Sequence, residues 1–189
     1  MQIIPITYRS TNYYILDNGK VKLLVDAGWP GTLGEFKHVL QKMDVKTESI
    51  NYVLPTHYHP DHAGLVQELK EMGVKLIVIE EQLPFIPLLL KYIKQGVQHK
   101  PIKLDDNIVL SITNCRAFLD KLGFNGHIVH TPGHSDDSIT LVLDTGEAFT
   151  GDLPPNYFSS EKDNPVNKSW MKLYNLGAVK IYPAHGPHP

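Results

Sequence analysis

One short segment, Thr56 to Gly64, constrains this chain more than any other part of the sequence. Within six of its residues stand three histidines and one aspartate, namely His57, His59, Asp61 and His62. The run Asn51 to Leu54 predicts a buried strand before the segment, and a helix is predicted after it. Imidazole nitrogens and carboxylate oxygens bind divalent ions, whereas clustered imidazoles without an ion repel each other when protonated. The segment therefore predicts a metal site.

The number of ligands favours two adjacent ions. Four donors so close in sequence do not easily converge on one ion, but a turn can aim His57 and His59 one way and Asp61 and His62 another. Further donors occur in later loops that contain glycine or proline: His134, Asp152 and His185. Each is a weak signal alone, because such residues in turns are usually caps or exposed. Their joint occurrence predicts one site of seven ligands.

The hydrophobic pattern predicts strands that alternate with helices and also form hairpins. Asn12 to Leu16 and Val21 to Val25 flank an Asn-Gly pair that suits a tight turn. Helices are predicted from Thr32, over 65–72, 114–122 and 169–176, and further strands over 74–79, 107–110, 128–131, 139–143, 147–150 and 179–182. This pattern indicates a single mixed α/β layered domain over residues 1–189.

An apolar segment in the middle of the chain is expected to be mostly helical and to separate two halves. It runs from Gln82 to Val97 and is interrupted by Pro84 and Pro87. Extended to Lys100, it is interpreted as a helical insertion that forms either a lid over a substrate or an ordinary core element.

Composition narrows the partners and the compartment. The formal net charge is -2, so there is no basic excess of the kind that nucleic acids or anionic membranes attract. Cys115 is the only cysteine, and the longest apolar run after the N-terminus, Leu83 to Leu90, is too short to cross a bilayer. The N-terminus shows no signal peptide pattern. We therefore expect a cytoplasmic protein that acts on a small molecule.

The motifs resemble those of the metallo-β-lactamase-fold superfamily over nearly the whole chain. Its metal motif is present as His57-x-His59-x-Asp61-His62, followed in order by His134, Asp152 and His185. Leu24-Val25-Asp26-Ala27-Gly28 resembles the family's early strand that ends in aspartate, and Phe149-Thr150-Gly151-Asp152 resembles the strand that delivers its bridging aspartate.

The resemblance implies a four-layer αβ/βα sandwich with a metal site at one edge. It implies that His57, His59 and His134 hold one ion, that Asp61, His62 and His185 hold a second, and that Asp152 bridges them. Asp26 is expected beside the metals, where it bonds a ligand or loop amides, and His130 is expected to be packed or similarly placed. Two Zn²⁺ ions are the default, with Mn²⁺ or Fe²⁺ as alternatives.

The expected activity is hydrolysis by a hydroxide that bridges the metals, acting on an ester, a thioester or a lactone. Asp61 is expected to accept or relay the proton, and Tyr157 to donate a hydrogen bond to the oxyanion. His59 argues against the related diiron flavoprotein oxidoreductases, which carry an acidic residue there. Three alternatives stay open: a phosphodiesterase or nuclease of this fold, a mononuclear iron persulfide dioxygenase, and a non-enzymatic metal-dependent sensor.

Overall fold

Two β-sheets form the middle of the molecule. The computed structural model describes residues 1–156 and 163–189, and the bounds below refer to these ranges. The strands are β1 Gln2–Tyr8, β2 Thr11–Asp17, β3 Lys22–Val25, β4 Tyr52–Leu54, β5 Lys75–Ile79, β6 Ile108–Leu110, β7 Gly126–His130, β8 Ile139–Leu143, β9 Glu147–Gly151 and β10 Lys180–Pro183. The α-helices are α1 Leu33–Lys42, α2 Pro60–Ala63, α3 Val66–Glu71, α4 Leu89–Tyr92, α5 Ile112–Leu122 and α6 Pro165–Asn175.

The first sheet has the strand order β1-β2-β3-β4-β5-β6. Its first three strands are antiparallel neighbours, and β3 to β6 pair in parallel. The hairpin expected around Asn18-Gly19 is confirmed, and Gly19 has the positive φ of 85° that such a turn needs. The chain does not open with that hairpin, however, because β1 precedes it and pairs with β2 along its whole length.

The second sheet has the order β10-β9-β8-β7. β10 runs parallel to β9, while β8 is antiparallel to both of its neighbours. Consequently β7, β9 and β10 all point the same way, and their carboxyl ends lie at one edge. The predicted strands and helices of this half are confirmed, with boundaries that differ by a few residues.

Side-chain alternation along the strands divides the apolar core into three clusters. In β3, Leu24 packs with Phe36 of α1 and Leu69 of α3, whereas its neighbours Leu23 and Val25 point to the other face. That other face packs against the second sheet in a cluster that includes Phe149 and Tyr182 of β9 and β10. A third cluster joins the outer face of the second sheet to Trp170 and Leu173 of α6. Helices, sheet, sheet and helix form four layers, as the αβ/βα sandwich requires.

The apolar segment 82–100 differs from the expectation. It is α-helical only over α4, which follows a 3-10 turn at Ile86–Leu88. Pro84 and Pro87 lack the amide donors that a continuous helix needs, which accounts for the short elements. The segment connects β5 to β6, which are neighbours in the first sheet, so it does not separate two halves. The change of sheet comes later, between α5 and β7.

The histidine-rich segment lies at the edge where strands from both sheets end. β4 leads into the 56–64 segment, which the structure resolves into a loop and α2. At the same edge, β3 ends before Asp26 and β9 before Asp152. Crevices beyond the carboxyl ends of strands are the usual place for ligands in parallel sheets. None of the described helices is long and apolar enough to span a lipid bilayer.

Gly64 lets the backbone segments that contain Pro30 and Pro60 approach closely beside this edge. A Cβ atom at this position would lie 2.3 Å from the carbonyl oxygen of Pro60 and 2.4 Å from the ring of Pro30. We predict that Gly64→Ala lowers the free energy of unfolding by about 1–3 kcal/mol, because backbone atoms must shift to relieve the overlap. Urea unfolding followed by circular dichroism would measure it.

Gly34→Ala provides the matched control for this substitution. Gly34 lies in α1, and nothing stands within 4 Å of a Cβ atom built on it. The same change there should raise the free energy of unfolding by about 0.5–1 kcal/mol, because alanine favours helix. Equal effects of the two substitutions would contradict the packing described at Gly64.

Candidate metal centre

The seven side chains predicted as ligands come together at the shared edge of the two sheets. His57, His59, Asp61 and His62 come from the loop and helix after β4, and the other three follow strands of the second sheet. Their ligand atoms form three overlapping groups in which all atoms lie within 4.8 Å of one another: His57, His59 and His134; His57, His62 and Asp152; Asp61, His62 and His185. The first and third groups correspond to the two ion sites that the family resemblance implies.

Three imidazoles converge in the first group. Nε2 of His57 lies 3.0 Å from Nδ1 of His59, and Nε2 of His134 lies 2.9 Å from that same atom. The three rings are arranged edge to face, with centroids 4.5–4.9 Å apart. Three nitrogens that meet in this way are the ligand set of many catalytic divalent metal sites.

The third group combines the carboxylate of Asp61 with the imidazoles of His62 and His185. Oδ2 of Asp61 lies 3.5 Å from Nε2 of His62 and 3.3 Å from Nε2 of His185. Oxygen and nitrogen donors in this combination suit Zn²⁺ and the related first-row metals. The first and third groups therefore differ in their donors, with three nitrogens in the first and a mixed set in the third.

Asp152 lies between the first and the third group, and one of its oxygens faces each of them. Oδ2 lies 3.4 Å from Nε2 of His134 and 3.9 Å from Nε2 of His57. Oδ1 lies 3.2 Å from Nε2 of His62 and also 3.2 Å from Nε2 of His185. One carboxylate thus has one oxygen on each side, which is the arrangement a bridging ligand needs.

Burial and neighbouring charges shift the pKa values of these side chains in different directions. His57 is fully buried, and burial together with the neighbouring histidines holds its pKa well below the usual value. Burial also lowers the pKa of His62, but the carboxylates of Asp26 and Asp152 outweigh it and raise that pKa to about 10. Burial acts to raise the pKa of Asp152, yet His62, His185 and His134 together lower it. The buried carboxylates therefore attract positive charge to this position.

Two buried atoms at the centre show that the site fits a metal ion. Nε2 of His62 and Oδ1 of Asp152 are inaccessible to solvent and make no hydrogen bond of acceptable geometry with any described residue. Leaving buried polar atoms without a partner is costly, so they normally have a reason. A divalent ion would satisfy both atoms, and the chemistry of the surrounding donors is that of a metal site.

Asp26 fixes the orientation of His62 from behind. It follows β3 in a left-handed conformation with φ of 62°, and its carboxylate is buried. Oδ2 lies 2.9 Å from Nδ1 of His62, so that nitrogen donates and Nε2 is left to face the site. Oδ1 accepts hydrogen bonds from the backbone amide and the hydroxyl of Thr56. The expected contacts of Asp26 with a histidine and a loop amide are both present.

Residues of β2 and of the turn before it support the third group. Nδ1 of His185 lies 2.6 Å from the carbonyl oxygen of Ser10, which fixes the orientation of this ring. Thr11 donates a hydrogen bond of 3.1 Å from its hydroxyl to Oδ2 of Asp61, and the hydroxyl of Tyr13 bonds to the Asp61 carbonyl. Sequence reasoning did not find these supporting residues, because nothing local distinguishes them.

Gln82 is a further residue that the sequence analysis missed. Its side chain is fully buried, and Nε2 donates to the carbonyl oxygens of Pro55, Thr56 and Asp137. Its Oε1 accepts from the amide of Ile79. Gln82 therefore ties the loop that carries His57 to the loop that follows His134. A lone amide beside an apolar run was the only signal of this role in the sequence.

Two further residues, Tyr157 and His130, were predicted in addition to the group of seven. Tyr157 lies outside the described residues, so its role stays a prediction. His130 bonds through Nε2 to the carbonyl oxygen of Asp136, at 2.6 Å, and thereby contacts the loop that follows His134. It contributes no atom to the three ligand groups.

Two cavities open beside the centre. One, of about 430 Å³, is lined by His59 and His134 together with residues of the 82–100 segment. The other, of about 390 Å³, is lined by His134, Asp152 and His185 and by the proline-rich turn after β9. His134 borders both.

Gly151, with φ of 55°, brings the end of β9 so close to Thr56 that a Cβ atom built on Gly151 would lie 2.4 Å from the Thr56 hydroxyl.

This fold and this arrangement of ligands define a known class of protein. The family model of the metallo-beta-lactamase superfamily matches residues 6–185, so the chain belongs to that superfamily. The resemblance inferred from the motifs is thereby confirmed.

Among its relatives is the beta-lactamase-like protein 2 homolog of Caenorhabditis elegans, which is 30% identical over 97% of this chain and 58% of its own length. An atrochrysone carboxyl ACP thioesterase of Aspergillus fumigatus is also 30% identical, over 95% of this chain and 38% of its own length. The chain spans about half the length of the curated relatives it matches. A crystal structure in a di-iron-bound form has a TM-score of 0.72 at 21% identity, covering 99% of this chain and 93% of the other.

Replacing Gln82 tests whether it joins the two loops. We predict that Gln82→Met lowers the free energy of unfolding by about 3 kcal/mol, since it removes the hydrogen-bond donor to the carbonyl oxygens of Pro55 and Asp137 and the acceptor of the Ile79 amide. In spectra of ¹⁵N-labelled histidine, the ring signals of His57 and His134 should move more than that of His185. Gln41→Met, at an exposed position in α1, is the control. A loss of stability no larger than in this control would contradict the assignment.

Proposed function

We propose that this protein is a dinuclear metal-dependent hydrolase that cleaves thioesters, or closely related esters and lactones, of small molecules. The observation that carries the proposal is the position of Asp152, whose two oxygens face two different ligand groups. A carboxylate shared in this way suits a pair of ions better than a single one. As part of the same proposal, the substrate is a small molecule and the compartment is the cytoplasm.

The proposed ligands are those that the geometry brings together. His57, His59 and His134 would hold one ion; Asp61, His62 and His185 would hold the other; and Asp152 would contact both. When bound, two divalent ions supply Lewis-acid polarisation of a carbonyl group and lower the pKa of water. Zn²⁺ is proposed first, and Fe²⁺ and Mn²⁺ accept the same donors. The di-iron form of a structural neighbour supports including iron.

Asp61 is the proposed proton carrier among the residues of this chain. Hydrolysis of a thioester breaks the C–S bond, adds the oxygen of water to the acyl carbon and leaves a thiolate that takes up a proton. Oδ2 of Asp61 is held by the Thr11 hydroxyl and lies beside His185, so it has a fixed position at the edge of the site. A carboxylate placed there can accept the proton of water and release it to the leaving group.

One observation favours thioesters within the ester class: a relative carries thioesterase in its name, although this chain covers only 38% of that protein. The two cavities beside the centre can receive the acyl part and the leaving part of one substrate. Both volumes lie in the range of about 300–1,000 Å³ that is typical of small-molecule pockets.

Metal analysis of single variants tests the ligand assignment. We expect the purified, metal-loaded protein to hold two ions per chain, and His134→Ala and Asp61→Ala each to lose about one of them. Turnover should fall by about 100-fold or more, because even the outer partners of metal ligands cost 10–100-fold when replaced. His38→Ala, which removes an exposed histidine of α1, should change neither quantity. Unchanged metal content and turnover in both ligand variants would refute the proposal.

A substrate panel tests the reaction class. Protein stripped with a chelator should lose activity and regain it when Zn²⁺, Mn²⁺ or Fe²⁺ is added back singly. We expect turnover of thioesters to exceed that of aryl esters, lactones, β-lactams and phosphodiesters. Turnover confined to phosphodiesters would assign a nuclease instead. One iron per chain together with oxygen consumption on a persulfide would assign a dioxygenase.

A further inference from the structure

The larger of the two cavities beside the centre has one apolar wall. Phe85, Leu88 and Tyr92 line it, and their spacing of three and four residues places them on one side of a helical turn. The ring of Tyr92 lies edge to face against His59, with centroids 4.7 Å apart and planes inclined by 70°. The wall therefore begins at a proposed metal ligand. Tyr92 is nevertheless 56% exposed, so this aromatic surface is available to a ligand.

The wall is attached to the core of the molecule. Ile86 and Leu89 are 4% and 3% exposed and belong to the core cluster between the first sheet and its helices. Ile93 packs against the same cluster. Since these three residues alternate with the three that line the cavity, the segment holds its apolar wall in place beside the centre.

The opposite rim of the cavity is polar and acidic. Ser135, Asp136 and Asp137 line it, and the Asp137 carboxylate is buried and accepts a hydrogen bond from the amide of Tyr58. Asp136 is exposed on this rim. None of the described residues that line this cavity is a lysine or an arginine. A negatively charged substituent at this rim would therefore meet the carboxylates of Asp136 and Asp137 with no lysine or arginine of the described chain beside it.

We infer that this cavity binds the acyl part of the substrate and selects neutral acyl groups with an aromatic or bulky apolar substituent over small or carboxylate-bearing ones. Phe85, Leu88 and Tyr92 are the specificity-determining residues. Burying an apolar substituent against them removes it from water, which discriminates by about 10–200-fold for each added group of methylene size. This inference rests on the proposed thioester hydrolysis for its reaction, but the binding preference is independent of turnover.

The experiment uses thioesters of one thiol, so that only the acyl group changes. Acetyl, phenylacetyl and succinyl thioesters of N-acetylcysteamine are compared by kcat/KM with the metal-loaded protein. We expect phenylacetyl to exceed acetyl by about 10-fold or more, in line with the burial of its ring, and succinyl to be the poorest. Tyr92→Ala and Leu88→Ala should each reduce the phenylacetyl-to-acetyl ratio several-fold. Leu90→Ala, on the same short helix but not lining the cavity, should leave the ratio unchanged.

A binding measurement separates this inference from the proposed function. The thioether S-(2-phenylethyl)-N-acetylcysteamine lacks the thioester carbonyl and has no C–S bond to an acyl group that could be hydrolysed, so its affinity for the metal-free protein can be measured by NMR titration. Weaker binding of the thioether to Tyr92→Ala than to Leu90→Ala supports the assignment of the apolar wall, whether or not thioesters are hydrolysed. Absence of thioester turnover would refute only the proposed hydrolase function. If thioesters are hydrolysed but Tyr92→Ala and Leu88→Ala leave the phenylacetyl-to-acetyl ratio unchanged, the assignment of the wall is overturned and the hydrolase proposal is retained.

Discussion

The candidate centre depends on one feature of the fold, namely that strands of two separate sheets end at the same edge. The proposed ligands follow β4 in the first sheet and β7, β9 and β10 in the second, so neither sheet could form the candidate centre alone. Backbone hydrogen bonds hold the two edges together: the amide of Ile139 donates to the carbonyl of Thr56 at 2.9 Å, and that of Asn12 to the carbonyl of Ala184 at 2.7 Å. The centre is thus a product of the packing of the two sheets, which the apolar cluster between them stabilises.

The electrostatics of the centre follow from that placement. Asp26 and Asp152 bring carboxylates into a region that water barely reaches, and a buried charge is costly unless it is paired. The same carboxylates raise the pKa of His62 to about 10, so a positive charge at this position is stabilised. A divalent ion would meet the same favourable field, although its binding to imidazole requires the neutral form of the ring.

Much of this arrangement could be predicted from the sequence, and the exceptions have physical causes. The density of histidines in 57–62 and the order of the later donors sufficed to predict which residues meet, because few other patterns place so many ligands after strand ends. β1 was missed, since its apolar residues do not alternate regularly around Pro5. The predicted helix in the 82–100 segment was too long, because the prediction gave more weight to its many apolar residues than to its two prolines. Gln82 and Thr11 act through contacts that are distant in sequence, which no local pattern reports.

The close contact between the two sheets beside the centre depends on Gly151 having no side chain. The residue before the shared aspartate carries no side chain, and a Cβ atom built on it would lie 2.4 Å from the hydroxyl of Thr56. A methyl group here would therefore overlap the residue that precedes the proposed ligand His57. Among sequences that build this centre, tolerance to change at position 151 should be as low as at the ligands themselves, although Gly151 offers no ligand atom. A chain with all seven ligands and a larger residue here would keep the motif but hold its two halves apart.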